Sequence, residues 1–462
     1  MAALEGTVRP VVRLVLPVLL EQVLALSVGF TDKWLAGNLL EGPSYLAAVG
    51  LAAYALAFLP GLFALPAVAA TALVARCVGA GDLAGARRAA AQAFLVGVLL
   101  TVALGGVAWV AGPRLVRGMG LPEESSALAL EYLAIVLPAL PAMMVIAVGV
   151  AVLRGAGDMV GGLVSMTVVN LGNAGASFAL AAGAFGLPRL GWQGLAWGTL
   201  VGYGLGAACI IVLVVRRDRF LRPTLADLRP DPRWQRRIAA VGLPAAADVL
   251  GNAVCHLWFL SIVNSLGDVD AAAHSVAITI ESLAFLPGSA FGMAAATLSG
   301  QFLGAGEERR ARRSVLLAAV ACVTLMSAMG GVFLAAADPL AEWFVGGPGK
   351  QPEVAALTAR LVRIVAFAQP PLAMLMVFSG GLRGAGITRP PLVVNFLGLI
   401  LVRLPAAMLL AWPAVALPGG GGLPGWGLGA VGAWYAMAAD LACRGVAMAA
   451  IFLGARWARA RV

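Results

Sequence analysis

The sequence predicts an all-α membrane protein with about twelve transmembrane helices in two parallel six-helix bundles. Three observations lead there: an apolar composition, recurring apolar runs of membrane-spanning length, and an internal duplication. Hydrophobic residues fill 61% of 462 positions and charged residues only 12%. A soluble domain needs more polar cover than that, whereas lipid is a solvent that suits such a surface. In a soluble chain the net charge of +10 would point to nucleic acid. Here the arginines sit mostly in short loops between apolar runs, so the expected partner is membrane lipid and not nucleic acid. Cys77, Cys209, Cys255, Cys322 and Cys443 lie in or at the ends of apolar runs without paired short spacing. His256 and His274 have no ligand cluster beside them. Neither a disulfide framework nor a metal site is expected.

The second observation is the apolar runs, each about 20 residues or more. They cover 12–36, 45–76, 89–112, 128–153, 162–186, 192–215, 239–266, 271–303, 314–336, 355–381, 391–415 and 428–454. The first is too long for a cleaved signal peptide and carries acids, so it is expected to remain as the first helix. The positive-inside rule places both termini and the even-numbered helix exits in the cytoplasm, which gives a multi-pass protein of the bacterial inner membrane. The densest basic cluster, Arg216–Arg237, marks a cytoplasmic connector. It divides the chain into bundles at 1–215 and 238–462, joined by 216–237.

The third observation is the duplication. LAFLPG occurs at Leu56–Gly61 and at Leu283–Gly288, an offset of 227. Leu16-Pro17 returns as Leu243-Pro244 at the same offset. GAGD at Gly79–Asp82 returns as GAGE at Gly304–Glu307, and LRGAG at Leu153–Gly157 returns at Leu382–Gly386. Four matches in order indicate duplication. Six helices per half is even, so the repeats enter the membrane from the same side, with a solute pathway expected between them.

Carboxylates within the spans cost about 2.5–3.5 kcal/mol each on insertion scales, so each needs a reason. They are Glu21, Asp32, Asp248, Glu281 and Asp440. Asp32 follows Glu21 by eleven residues, about 20° apart after whole turns and roughly 16 Å along the axis. One helix face thus bears two acids at different depths, which suits a cation path. The alternative is that Asp32 ends the first helix beside Lys33. Glu21 and Asp248 are repeat equivalents, either sharing a structural duty or lining a cavity for substrate cations. Glu281 precedes Pro287 on the eighth span and is a further cavity candidate. Asp440 and Arg444 stand four apart, the spacing at which opposite charges meet. Arg403 has no assignable partner in the sequence.

VLPVLLEQ (Val15–Gln22), GFTD (Gly29–Asp32) and ATALVARCVGAGD (Ala70–Asp82) resemble the first two helices of multidrug and toxic compound extrusion (MATE) transporters. AAAHSVAITIESLAFLPG (Ala271–Gly288) and GQFLGAGE (Gly300–Glu307) are similar to that family's seventh-to-eighth helix segment. The resemblance spans nearly the whole chain. It implies two six-helix bundles around a central cavity and cation-coupled export of amphiphilic, often cationic, drugs and toxic compounds. It further implies a cation site built from Asp32, Asn173, the residue four positions on, and Thr199. Family members carry an Asp at that fourth position; here it is Ser177, an oxygen ligand without the charge. NorM-like members also carry acids on the seventh and tenth helices. Here the first such position is Asn252, and the tenth span has none. These departures favour protons over sodium as the coupling ion. His256, one turn past Asn252, reads either as a titrating group or as a satisfied core histidine.

No enzyme motif, paired-Asp protease set or His/Glu metal site is found, and the glycine turns lack the Lys and the strand of a phosphate-binding loop. The expectation is therefore a monomeric secondary antiporter without organic cofactor, acting on small molecules. A lipid-linked precursor flippase of the same wider superfamily is the alternative, with an intramembrane enzyme behind it.

Overall fold

The computed structural model describes residues 8–40, 45, 61–118, 123–217, 221–224, 226–347, 349–417, 421–454 and 457. Most of the second predicted span up to Pro60, and with it the first LAFLPG copy except Gly61, lies outside the described residues.

The fold is all-α and spans a membrane. Eleven of the described helices are long and apolar enough to cross it. Their outward faces carry large apolar side chains, among them Phe30, Trp34, Val102, Trp109 and Leu171, each more than 60% exposed. Surfaces of that kind are stable against lipid and not against water.

In chain order the elements are α1 (Val8–Leu39), α2 (Ala64–Gly79), α3 (Leu83–Gly118), α4 (Glu123–Val136), α5 (Leu140–Ala156), α6 (Val160–Ala182) and α7 (Trp192–Val212). They continue with α8 (Pro232–Asn264), α9 (Asp268–Gly304), α10 (Glu308–Ala335), α11 (Ala337–Val345) and α12 (Pro352–Gly384). Last come α13 (Arg389–Leu397), α14 (Leu404–Ala411), the strands β1 (Ala414–Leu417) and β2 (Gly421–Pro424), and α15 (Gly429–Leu453). A 3₁₀ turn at Leu137–Ala139 around Pro138 joins α4 to α5 into one span. A π-turn at Gly398–Arg403 does the same between α13 and α14.

The repeated GAG motifs are helix-ending turns. In each, the second glycine (Gly81, Gly157, Gly306, Gly386) has φ between 75° and 94°, the left-handed region where a Cβ is penalised. The amide of Gly157 returns to the carbonyl of Arg154, and that of Gly386 to Arg383. Arg154 and Arg383 therefore belong to the last turns of α5 and α12, not to the loops that follow them in the sequence reading.

The eleventh predicted span, 391–415, ends sooner than expected. Pro413 has no N–H to continue α14 and forces Trp412 into an extended conformation, with ψ 148°. The chain then forms an antiparallel hairpin in which Val415 faces Leu423. Short β segments of Ala, Val and Gly give no periodic signal against an apolar background, so the sequence shows none.

Two compact units are present. One comprises Leu16–Ala246 with Gly304–Gly306, and the other Ala247–Leu303 and Glu307–Val462 with the start of α1. Within the first, α6 and α7 pack along their length, as do α2 and α5. Within the second, α12 is central, packing on α10 and α15.

Candidate functional site

α1 runs unbroken past Asp32 to Leu39. Asp32 therefore does not end the helix. It is 3% exposed, while Lys33 points outward. Its carboxylate is held from three other elements. Tyr132 on α4 donates its hydroxyl to Oδ2 at 2.9 Å. Thr199 on α7 reaches the same oxygen at 3.0 Å. Asn173 on α6 donates Nδ2 to Oδ1 at 3.2 Å. The site is also linked within itself: Asn173 Nδ2 lies 3.1 Å from Thr199 Oγ1 and 3.4 Å from Ser177 Oγ. The Tyr132 and Thr199 hydroxyls are 3.0 Å apart.

Glycines bring α6 and α7 close enough for this. A Cβ on Gly198 would collide with the backbone of Ser177, and one on Gly202 would fall 2.9 Å from the backbone nitrogen of Asn173. Small residues at such a crossing let two backbones approach until short side chains can meet.

The site thus brings together Asp32, Asn173, Ser177 and Thr199. It adds Tyr132, which sequence reasoning missed. The signal was there: Tyr132 is a phenol in an apolar span, and buried Tyr hydroxyls need a partner. Two features make the site suited to a cation. All partners of Asp32 among the described residues are neutral. Asn173 Oδ1 is buried with no hydrogen-bond partner, an orphaned acceptor beside an anion. The Asp32 carboxylate, this amide oxygen and the Thr199 and Ser177 hydroxyls are the hard oxygen donors that a small cation or a proton takes. Among the described residues no group of His, Cys, Asp and Glu could hold a transition metal.

Three of the other intramembrane acids, Glu21, Asp248 and Asp440, have cations of their own. Glu21 is gripped by both oxygens from Arg154 Nη2, at 2.7 and 2.8 Å. Asp248 pairs with Arg383 and accepts Asn395 Nδ2 at 2.8 Å. Both acids are thus ion-paired, and their partners are the arginines of the two LRGAG motifs. Asp440 pairs with Arg444 at 2.6 Å. Arg403, for which the sequence offered no partner, also binds Asp440, at 2.9 Å. The π-turn presents Arg403 inward, so its partner stands on a helix that sequence spacing cannot relate to it. Asn395 completes the chain by accepting Arg444 Nη1 at 3.1 Å.

Glu281 is half-buried on α9 and lies in the electrostatic reach of Arg403. Asn252 is half-buried on α8. His256 is exposed and is not the satisfied core histidine. That role belongs to His274, 2% exposed, whose Nδ1 accepts the Trp434 indole N–H at 3.1 Å.

The family model MatE matches the chain twice, over residues 17–179 and 244–409. A probable multidrug resistance protein NorM of Pseudomonas aeruginosa is 30% identical over 98% of this chain and 90% of its own length. Another, of Thermotoga maritima, is 26% identical over 98% and 94%. A crystal structure of MATE in the bent conformation superposes with a TM-score of 0.85 at 22% identity, covering 97% of this chain and 94% of that one. An outward-facing MATE family transporter of the MOP superfamily gives 0.84 at 21% identity, covering 97% and 94%. Fold and comparisons define a duplicated, polytopic membrane transporter rather than an enzyme. The chain belongs to the MatE family.

Proposed function

We propose that this protein is a secondary antiporter that exports amphiphilic, cationic small molecules across the bacterial inner membrane in exchange for a cation bound at Asp32. The observation that carries the reading is that Asp32 has no countercharge among the described residues. Each other buried intramembrane carboxylate has an arginine, and Asp32 has three neutral donors. An exchangeable cation completes this site without displacing a fixed one. The relatives named multidrug resistance proteins support the substrate class.

The coupling follows from hydrogen-bond roles. The carboxylate accepts from α4, α6 and α7 and so ties α1 to them. Bound to a proton, Asp32 itself becomes a donor. One of the hydroxyls of Tyr132 or Thr199 must then turn to accept, and the ties between α1 and its neighbours change. A ligand shifts a two-state equilibrium only through such differential contacts. Ser177 supplies no second charge, so the site favours a proton over sodium. Glu281 and Asn252, neither held in an ion pair among the described residues, are the candidates for contact with cationic substrate. Glu21 and Asp248 are tied to arginines and serve the fold. The protein works as a monomer with both termini and the Arg216–Arg237 connector in the cytoplasm. A lipid-linked precursor with its phosphates would need free intramembrane cations. Arg403 and Arg444 are instead bound to Asp440.

The test is ethidium transport by purified protein in vesicles under imposed proton or sodium gradients. Wild type is expected to concentrate the dye on a proton gradient alone, and Asp32→Asn to insert, bind dye and fail to concentrate it. Uphill transport by Asp32→Asn equal to wild type would remove Asp32 from the coupling role. A strict sodium requirement would overturn the choice of ion.

A further inference from the structure

The duplication gives Asp32 and Asn173 counterparts in the second half. The offset is 227 before it, from Glu21 to Asp248, and 227 after it, from Leu56 to Leu283, so Asp32 corresponds to Phe259. Phe259 is fully buried on α8, as Asp32 is on α1. α6 corresponds to α13–α14, since both follow an RGAG turn. Counting from those turns, Asn173 aligns with Val402, and the residue that the π-turn accommodates brings Arg403 into its place.

The contacts agree with this alignment. In the first half Asn173 reaches across to the Asp32 carboxylate. In the second, the Arg403 guanidinium lies over the Phe259 ring, 5.7 Å from its centroid. A neutral amide facing an anion has become a cation facing a ring. The ring face attracts that cation without titrating. Trp434 and His274 enclose the same pocket of aromatic side chains, with His274 5.8 Å from each of Phe259 and Trp434.

The buried charges close in one half and not in the other. In the first, Arg154 balances Glu21 and, among the described residues, no cation balances Asp32. In the second, Arg383 balances Asp248, and Arg403 and Arg444 together face Asp440 and the half-buried Glu281. We infer that Arg403 is a tethered cation: it fills, as part of the chain, the place in the second half that the exchangeable cation takes beside Asp32 in the first. Arginine stays protonated in proteins, so this charge cannot be taken up and released. The second half therefore carries no coupling ion, and one ion moves per transport cycle. This rests on the coupling role proposed for Asp32.

The direct test is the ion-to-ethidium stoichiometry of wild type, read from the gradient at which dye flux reverses. One ion is expected, and two would overturn the inference. The role of Arg403 itself is read on an Asp32→Asn background, where the melting temperature in detergent should lose its dependence on pH and sodium. Adding Arg403→Leu should restore such a dependence, because Glu281, which with His256 lies in the electrostatic reach of Arg403, then has no arginine there, while Arg403→Lys should not. A flat response with Arg403→Leu, or the same response with Arg403→Lys, would overturn the tethered-cation role. If Arg403→Leu fails to fold, the wild-type stoichiometry and the Arg403→Lys response still decide the matter. If Asp32→Asn retains coupling, the coupling site itself is misplaced. If Asp32→Asn is uncoupled but wild type moves two ions, only the inference about Arg403 fails.

Discussion

At the scale of single residues, Asp32 and Tyr132 form the bond on which the candidate site turns. A hydrogen bond to a charged group contributes about 1.5–3 kcal/mol, and both partners here are at most 3% exposed. A double-mutant cycle of Asp32→Asn and Tyr132→Phe, read as unfolding free energy in detergent, is expected to give a coupling energy in that range. A coupling near zero would mean that Tyr132 is held by Thr199 alone. Asp32 and its α6 and α7 companions were legible because their residue types stand out in apolar helices and match a family pattern. Tyr132 was legible only as a phenol in need of a partner, because nothing in a linear pattern relates it to a residue 100 positions earlier.

At the scale of elements, the segment between α7 and α8 is fastened to the start of α3. Gln92, fully buried, donates to the carbonyls of Asp227 and Arg229 at 2.8 Å and accepts the Asp231 amide at 3.1 Å. Arg87 binds Asp227 at 2.7 Å and Arg88 binds Asp231 at 2.9 Å. Burial alone would raise the Asp227 pKa. The hydroxyl and amide of Thr224 and the guanidinium of Arg87 outweigh it and hold the carboxyl below the usual carboxylate range. A group with a depressed folded pKa stabilises above its unfolded pKa, and that contribution is lost as pH falls through the folded value. Asp227 should therefore keep this segment fastened at neutral pH and release it only below the ordinary carboxylate range. Protease cleavage of the segment as a function of pH measures this. Asp227→Asn is expected to raise cleavage at neutral pH to the acid level, and equal cleavage of both proteins at neutral pH would show that the carboxylate is not the fastener. In the sequence this stretch reads as a basic connector, because the acids and Gln92 that order it are outnumbered by arginines.

At the scale of the whole molecule, the duplication is the organising fact, and it was legible from short exact matches such as LRGAG. What those matches were for was not legible. The arginine of each copy neutralises the acid on the first helix of its own half, through contacts 133 and 135 residues long. The pairs differ in exposure: the Arg154 side chain is 15% exposed and that of Arg383 31%. Removing the acid strands a cation, which costs about 3–5 kcal/mol when it is buried and less as water reaches it. Glu21→Gln should therefore lower the melting temperature more than Asp248→Asn. Glu21→Gln with Arg154→Met should recover most of the loss. A larger effect at Asp248 would mean that its bond from Asn395, which has no equivalent at Glu21 among the described residues, outweighs the difference in exposure.

The π-turn at Gly398–Arg403 bears on how the chain is made. Arg403 leaves the ribosome 37 residues ahead of Asp440, its anion. Until α15 follows, the segment bearing Arg403 enters the membrane with a charge that costs about 2.5–3.5 kcal/mol at mid-bilayer. Synthesis of α15 brings the Asp440 carboxylate that neutralises it. A product cut short before Gly429 would therefore hold Arg403 without the carboxylate that binds it, so the order of synthesis makes the settling of α13 and α14 depend on α15.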